Sequence, residues 1–241
     1  MPLLAVHQVS KSFRGVHAVA GASFDVEPQS IVALIGPNGA GKTTIFNLIA
    51  GVHRPDSGDI HLGGKRISGL RPHVVCAAGI GRTFQLVKPF AGLSVLDNVV
   101  VGALCRERGV TAALRRAGHV LERLGLTAQA DVPASQVTLA ARRRLEVARA
   151  LATRPSLLLL DEVMAGLRPT EIDEMVNLLR EVRRDEGITV LLTEHVMRAV
   201  MALAEQIVVL HHGEVVARGA PADVVSDPAV LECYLGEGAS V

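Results

Sequence analysis

Apolar positions along this chain come in short blocks of two kinds. Ser30 to Ile35 is a β-branched run that ends in a glycine loop, and Ser156 to Leu160 is a continuous apolar run. Ile188 to Thr193 is another such run, and Leu3 to Val9 is strand-like. Continuous apolar runs of this length mark strands buried on both faces of a parallel sheet. Between them lie segments with helical spacing. Lys42 to Ala50 reads as a helix stopped by Gly51, Thr170 to Arg184 as an amphipathic helix, and Glu194 to Leu203 as a third. Near the end, Gln206 to Leu210 and Glu214 to Arg218 flank His211-His212-Gly213, which predicts a hairpin. The β-α-β-α order predicts an α/β fold, a mostly parallel sheet flanked by helices.

The middle breaks this alternation. From Leu96 to Leu124 the pattern is helical and Arg-rich, with little strand signal. Pro89 to Leu151 (89–151) therefore reads as a helical subdomain inserted into one domain that spans 1–241. That length is ample for a sizeable apolar core.

Charge and composition narrow the class. The net charge is +1, so no strong field points to nucleic acid or to anionic lipid. Cys76, Cys105 and Cys233 are far apart and odd in number, which argues against a disulfide framework or a zinc site. The first residues lack a basic stretch followed by an apolar one, so no signal peptide is expected. A spanning helix needs roughly 20 apolar residues. The most apolar run, Leu157 to Leu160, meets charge at once in Asp161-Glu162. The chain is expected to dock on a membrane protein rather than to cross a membrane itself.

The chemistry is concentrated in one loop. Gly36, Pro37, Asn38, Gly39, Ala40, Gly41, Lys42, Thr43 and Thr44 carry G-x-x-x-x-G-K-[ST], after a strand and at the start of a helix. Glycines let successive backbone N–H groups turn inward on phosphate oxygens, and the helix N-terminus adds favourable partial charge. Lys42 supplies a cation for the β- and γ-phosphates, and the Thr43 hydroxyl suits Mg2+. At the end of the second buried strand, Asp161 is placed to hold magnesium and Glu162 to polarise an attacking water. The expected ligand is thus a nucleoside triphosphate with Mg2+.

Many folds share such a loop. The guanine-reading N-K-x-D motif is missing. The remaining features resemble the ATP-binding-cassette (ABC) family over nearly the whole length. Phe13, in Ser12-Phe13-Arg14-Gly15-Val16, matches the aromatic that stacks on adenine, the alternative being a core Phe. Gln85, in Arg82-Thr83-Phe84-Gln85, matches the glutamine that contacts magnesium and water and senses a membrane subunit. His195, in Leu192-Thr193-Glu194-His195, matches the switch histidine that contacts the γ-phosphate. Ala165-Gly166-Leu167 matches the loop that faces a partner subunit. The resemblance implies a phosphate-loop NTPase core with an antiparallel β portion near the N-terminus. It implies ATP and Mg2+ as cofactors, with Glu162, His195 and Gln85 catalytic and Thr43, Gln85 and Asp161 around the metal.

Finer matches resemble the branched-chain amino-acid type of importer ATPase. They are Gly36 to Phe46, Pro55 to Gly58, Gly79 to Gln85, Leu93 to Gly102, Ala148 to Pro155, and Tyr234-Leu235-Gly236-Glu237. That kinship implies a second ABC ATPase subunit, membrane permease subunits, an indirectly acting solute-binding protein, and a peripheral place on the cytoplasmic face of the cell membrane. An apolar stretch (Leu86, Val87, Pro89, Phe90, Leu93, Val95) suggests the permease contact, with a plain core as the alternative. A soluble ABC protein acting on ribosomes or DNA is a competing class, as is a regulatory subunit that binds ATP with weak turnover.

One motif departs from the family pattern. Where L-S-G-G-Q or a close variant is expected before Arg142, the chain has Val137-Thr138-Leu139-Ala140-Ala141. In the family this signature meets the γ-phosphate of ATP held by the opposite subunit. Ala140 adds a Cβ where glycine allows close approach, and Ala141 lacks the amide. Val163 replaces a proline, and Arg168 stands where Asp or Asn is usual. These changes imply a heterodimer with one competent and one weakened site.

Overall fold

The structure, a computed structural model, describes residues 1–85 and 89–235. In chain order its elements are β1 (Leu4–Phe13), β2 (Val16–Val26), β3 (Ile31–Ile35), α1 (Lys42–Ile49), β4 (Ser57–Leu62), β5 (Lys65–Arg66), α2 (Pro72–Ala78), β6 (Ile80–Arg82) and α3 (Val95–Ala103). They continue with α4 (Val110–Arg123), α5 (Leu139–Ala152), β7 (Leu157–Asp161), α6 (Pro169–Glu186), β8 (Thr189–Thr193), α7 (Met197–Leu203), β9 (Gln206–His211), β10 (Glu214–Gly219), α8 (Pro221–Val225) and α9 (Pro228–Leu235).

The strands form two sheets. The larger has the order β10-β9-β3-β8-β7-β6. Its pairs from β9 to β6 are parallel, and β10 joins antiparallel through a hairpin. The hairpin turn is His212-Gly213, both at positive φ (47 and 84), the geometry that matches strand twist. The smaller sheet is antiparallel, in the order β2-β1-β4-β5. It draws on residues 57–66 as well as on the N-terminal strands. β1 runs four residues beyond the expected Val9, because it pairs along β2 as far as Phe13 with Val16.

Both faces of the large sheet are covered, which explains the continuous apolar runs. Leu158, Leu160, Val190 and Leu192 point into one core with α3, α5 and α6. Leu157, Leu159 and Leu191 point into another, against α1 and the small sheet. Each fully buried leucine contributes roughly 2 kcal/mol. The segment read as a helical insertion holds α3, α4 and α5, packed through Val99, Ala113, Ala117, Val120, Leu121 and Leu145. Small alanines on the facing surface of α4 let the helices approach closely.

One predicted helix starts late. Glu194 to Val196 lie outside α7, which begins at Met197. The Glu194 carboxylate accepts from the Met164 backbone N–H at 2.8 Å, and this tertiary bond overrides the local helical spacing. No described helix is long and apolar enough to cross a membrane.

Candidate nucleotide site

Four loops leave the carboxyl ends of β3, β8, β7 and β6, and they meet there. This is where ligands bind in open α/β sheets. β3 feeds the phosphate loop, β7 ends in Asp161, β8 leads to His195, and β6 leads to Gln85. The strand order alone places these four exits side by side.

The phosphate loop is fixed by close backbone approach. A Cβ on Gly36 (φ 150) would stand 2.0 Å from the Leu210 carbonyl oxygen, and one on Gly41 (φ 104) 2.3 Å from that of Ala18. Only glycine fits either place. The loop is also tied to the hairpin, since the Gly213 N–H donates to the Ala40 carbonyl at 3.0 Å. Lys42 is buried, and its ammonium donates to the carbonyls of Gly36 (2.6 Å) and Pro37 (2.9 Å). Burial lowers its pKa, while the nearby Glu162 and Asp161 charges act to raise it. That electrostatic contact places the acidic strand end beside the phosphate loop. Thr43 is exposed on the first turn of α1.

Asp161 is held from three sides. Thr193 Oγ1 donates to its Oδ1 at 2.9 Å, the Arg82 guanidinium donates to its Oδ2 at 3.2 Å, and its own N–H donates to Thr83 Oγ1 at 2.9 Å. Glu162 has φ 50, an unfavourable conformation for a residue with a Cβ and one found at functional sites. Its N–H donates to the Thr193 carbonyl at 3.0 Å, which anchors that turn to β8. Gln85 Nε2 donates to Glu162 Oε2 at 3.0 Å, and His195 Nε2 lies 2.9 Å from Oε1. Three residues drawn from distant parts of the sequence thus share one carboxylate.

Thr43, Gln85 and Asp161 offer a hydroxyl, an amide and a carboxylate oxygen. These are the hard donors that Mg2+ takes, usually with several of its waters retained. Residue type fits the ion, although the described residues contain no group of three or more His, Cys, Asp or Glu able to form a metal cage.

Phe13 is 38% exposed, so it is not a core residue. It stands at the tip of the β1–β2 hairpin, edge-on to His53 with ring centroids 5.1 Å apart and with the Lys11 ammonium 5.5 Å over its ring. The apolar stretch divides. Val95 is buried in the core, Phe90 and Leu93 are exposed, and Leu86 and Val87 lie outside the described residues, as do Gly236 and Glu237.

The altered segment at the start of α5 is built differently. Thr138 caps the helix, its hydroxyl accepting from the Ala141 N–H at 3.3 Å. Ala141 is buried in the core, and Leu139 is exposed. A Cβ on Gly166 would meet Leu139 Cδ2 at 3.2 Å, so this leucine lies against the loop that follows Glu162. Arg168 pairs with Glu171 at 2.8 Å.

Several residues around the site gave no signal in the sequence. Arg143, buried on α5, donates to the carbonyls of Gln85 (3.3 Å) and Ala165 (3.2 Å). Glu194 is buried behind His195, and burial pushes its carboxyl up to about 7. Thr83 and Thr193 orient Asp161. No motif spacing announces them, because each acts across strands rather than along the chain.

The loop geometry and the strand order define a phosphate-loop nucleotide-binding domain. The family model described as ABC transporter matches residues 19–165, and that of the branched-chain amino acid ATP-binding cassette transporter matches residues 214–240. The high-affinity branched-chain amino acid transport ATP-binding protein BraF of Pseudomonas aeruginosa is 38% identical, over 98% of each chain. The corresponding protein LivG of Escherichia coli is 39% identical, over 98% of each chain. The lipopolysaccharide export system ATP-binding protein LptB of Acidithiobacillus ferridurans is 37% identical, over 98% of this chain and 97% of its own. A nucleotide-free ATP-binding cassette from an ABC transporter superposes with a TM-score of 0.89 at 29% identity, over 97% of this chain and 99% of that one. A cassette in its ADP conformation gives 0.89 at 30%, over 98% and 99%. The chain belongs to the ABC transporter family, as an ATP-binding cassette.

Proposed function

We propose that the chain is the ATP-hydrolysing subunit of an importer for branched-chain amino acids, working with a second cassette and with membrane permease subunits. The observation that carries the hydrolytic role is the Glu162 carboxylate, held between Gln85 and His195 beside Lys42. Lys42 and the loop N–H groups take the β- and γ-phosphates. Glu162 accepts the proton of the water that attacks the γ-phosphorus, and the bond to the β-phosphate oxygen breaks as ADP leaves. His195 contacts the γ-phosphate and Gln85 orients the water. Phe13 stacks on adenine. Magnesium, held by Thr43, Asp161 and Gln85, would neutralise charge developing on the phosphates.

The amino-acid assignment is favoured over lipopolysaccharide export by the match at residues 214–240 to the branched-chain family model. Residues 89–151 act as the helical subdomain that faces the permease. A groove of about 360 Å³ lies between α2, α3 and α5, lined by Val52, Val75, Cys76, Phe84, Val101 and Cys105. It is a suitable seat for a permease segment, since apolar concavities of this size mark binding sites. The protein would then work peripherally, on the cytoplasmic face of the membrane.

Glu162 and its neighbours are complete, whereas the start of α5 presents the exposed Leu139, the half-buried Ala140 and a Thr138 hydroxyl already engaged as its own helix cap. A heterodimer with one strong and one weak site follows. ATP turnover of the chain alone and with its partner tests this, together with the identity of proteins recovered with it from membranes. Robust turnover alone, lost in Glu162→Gln and unchanged by Ala140→Gly, overturns the heterodimer. Recovery without permease subunits overturns the transport role.

A further inference from the structure

Arg82 ends β6, three residues before Gln85, and belongs to two places at once. It lines the apolar groove between α2, α3 and α5, and its guanidinium reaches through the molecule to the nucleotide site. Nη2 lies 3.2 Å from Asp161 Oδ2, and Nη1 donates to Asn47 Oδ1 on α1 at 2.7 Å. Both members of the ion pair are buried, with side chains 8% and 2% exposed.

The planar head lies between two rings. Phe46, fully buried on α1, is 5.9 Å away, and Phe84 is 5.3 Å away. Phe84 is 58% exposed and forms part of the groove wall. One rigid fork therefore contacts the magnesium carboxylate, the helix that follows the phosphate loop, and an aromatic that any groove occupant must touch. Among the described residues its Nε is buried without a hydrogen-bond partner. Burial also lowers the guanidinium pKa. An unused donor on a buried charge leaves part of its desolvation cost unmet, so the pair is sensitive to changes at either end.

We propose that Arg82 is a positioning residue that couples the groove to Asp161, so that magnesium-dependent nucleotide binding and groove occupancy each alter the other. Its effect is transmitted through Asp161 on one side and Phe84 on the other, and the coupling is reciprocal by linkage. The coupling rests on the magnesium role proposed above for Asp161, and the groove as a permease seat on the transport role; the two are tested separately.

The exposed Cys105 lines the same groove and allows a test on the full chain. A thiol-reactive environment-sensitive fluorophore is placed on Cys105, with Cys76→Ser to remove the neighbouring thiol and Glu162→Gln to stop turnover. ATP with Mg2+ is expected to shift the label's emission, and ATP with EDTA to leave it unchanged. Arg82→Lys keeps the charge but loses the fork. It is expected to reduce the magnesium-dependent shift at least fivefold while a fluorescent ATP analogue still binds. Phe84→Leu, which leaves the ion pair intact, is expected to reduce the shift about twofold. It also serves as the decisive variant if Arg82→Lys does not give a wild-type melting curve. No magnesium-dependent shift in the parent, or a full shift in a folded Arg82→Lys or Phe84→Leu protein that binds nucleotide, overturns the proposal. Absence of permease subunits from membrane preparations would instead overturn the functional assignment and leave this result standing.

Discussion

The carboxyl end of the large sheet and the start of α5 make an instructive pair. At the first, charged and polar side chains are brought together from four loops and share partners. Glu162 receives Gln85 and His195, and Asp161 receives Thr193 and Arg82. At the second, the polar groups serve the chain itself: the Thr138 hydroxyl caps its own helix, Arg142 turns back onto the carbonyls of Ser135 and Val137, and Arg144 pairs with Glu174. Ala141 has joined the core and Leu139 rests on Gly166. The helix is sound, and its polar side chains are already engaged within the chain. The first region shares its polar groups across loops; the second commits them to its own helix and neighbours.

Four measurements bear on that contrast. The largest effect is expected from Glu162→Gln, which should lower ATP turnover about 10³-fold with nucleotide affinity retained, since a general base contributes roughly 10² to 10⁴. A small effect in single-turnover assays would remove the hydrolytic role from this end of the sheet. Next comes repair of the weak region. Ala140→Gly, which removes the Cβ that hinders close backbone approach, should raise turnover at the partner-held nucleotide by up to about 10²-fold, the usual worth of an oriented donor near developing charge. The gain should require the partner subunit.

A third test concerns stability. The Glu194 carboxyl titrates at about 7 in the fold, above its usual value of 4.5. A raised value means that the folded state holds the proton longer than the unfolded chain. Its stabilising contribution is thus fully present below pH 4.5 and lost as pH rises through about 7. Denaturant titrations should show wild type losing roughly 2 kcal/mol between pH 5 and 8 from this group. Glu194→Gln should flatten that part of the slope, and an unchanged slope would exclude Glu194 as its source. The smallest effect is expected from Phe13→Ala. Loss of one stacking face costs about 1 kcal/mol, so ATP should bind five- to tenfold more weakly. Unaltered affinity in equilibrium titration would mean that adenine lies elsewhere.

The sequence was a good guide where chemistry follows local spacing. The phosphate loop is legible because glycines, lysine and threonine must occur at fixed offsets for the backbone to wrap a phosphate. The acidic strand end and the buried strands are legible because an apolar run that ends in carboxylates has few other uses. Even the weakened α5 start could be read, since a motif defined by glycines fails visibly when Leu139 and Ala140 take their place.

Tertiary structure decided the rest. That Gln85 and His195 both reach Glu162 depends on the strand order β8-β7-β6, which no local pattern encodes. The start of α7 moved to Met197 because Glu194 bonds to Met164, a partner 30 residues away. Of the two readings of Phe13, adenine-stacking aromatic or core residue, the core one fell because the β1–β2 hairpin carries it to an exposed tip. Arg82 drew no reading of its own in the sequence, and only the packing of β6 against β7 sets its guanidinium on Asp161. Local spacing records which groups a backbone segment can present. Which carboxylate receives which donor is fixed by contacts between strands far apart in sequence, and those exist only once the sheet has formed.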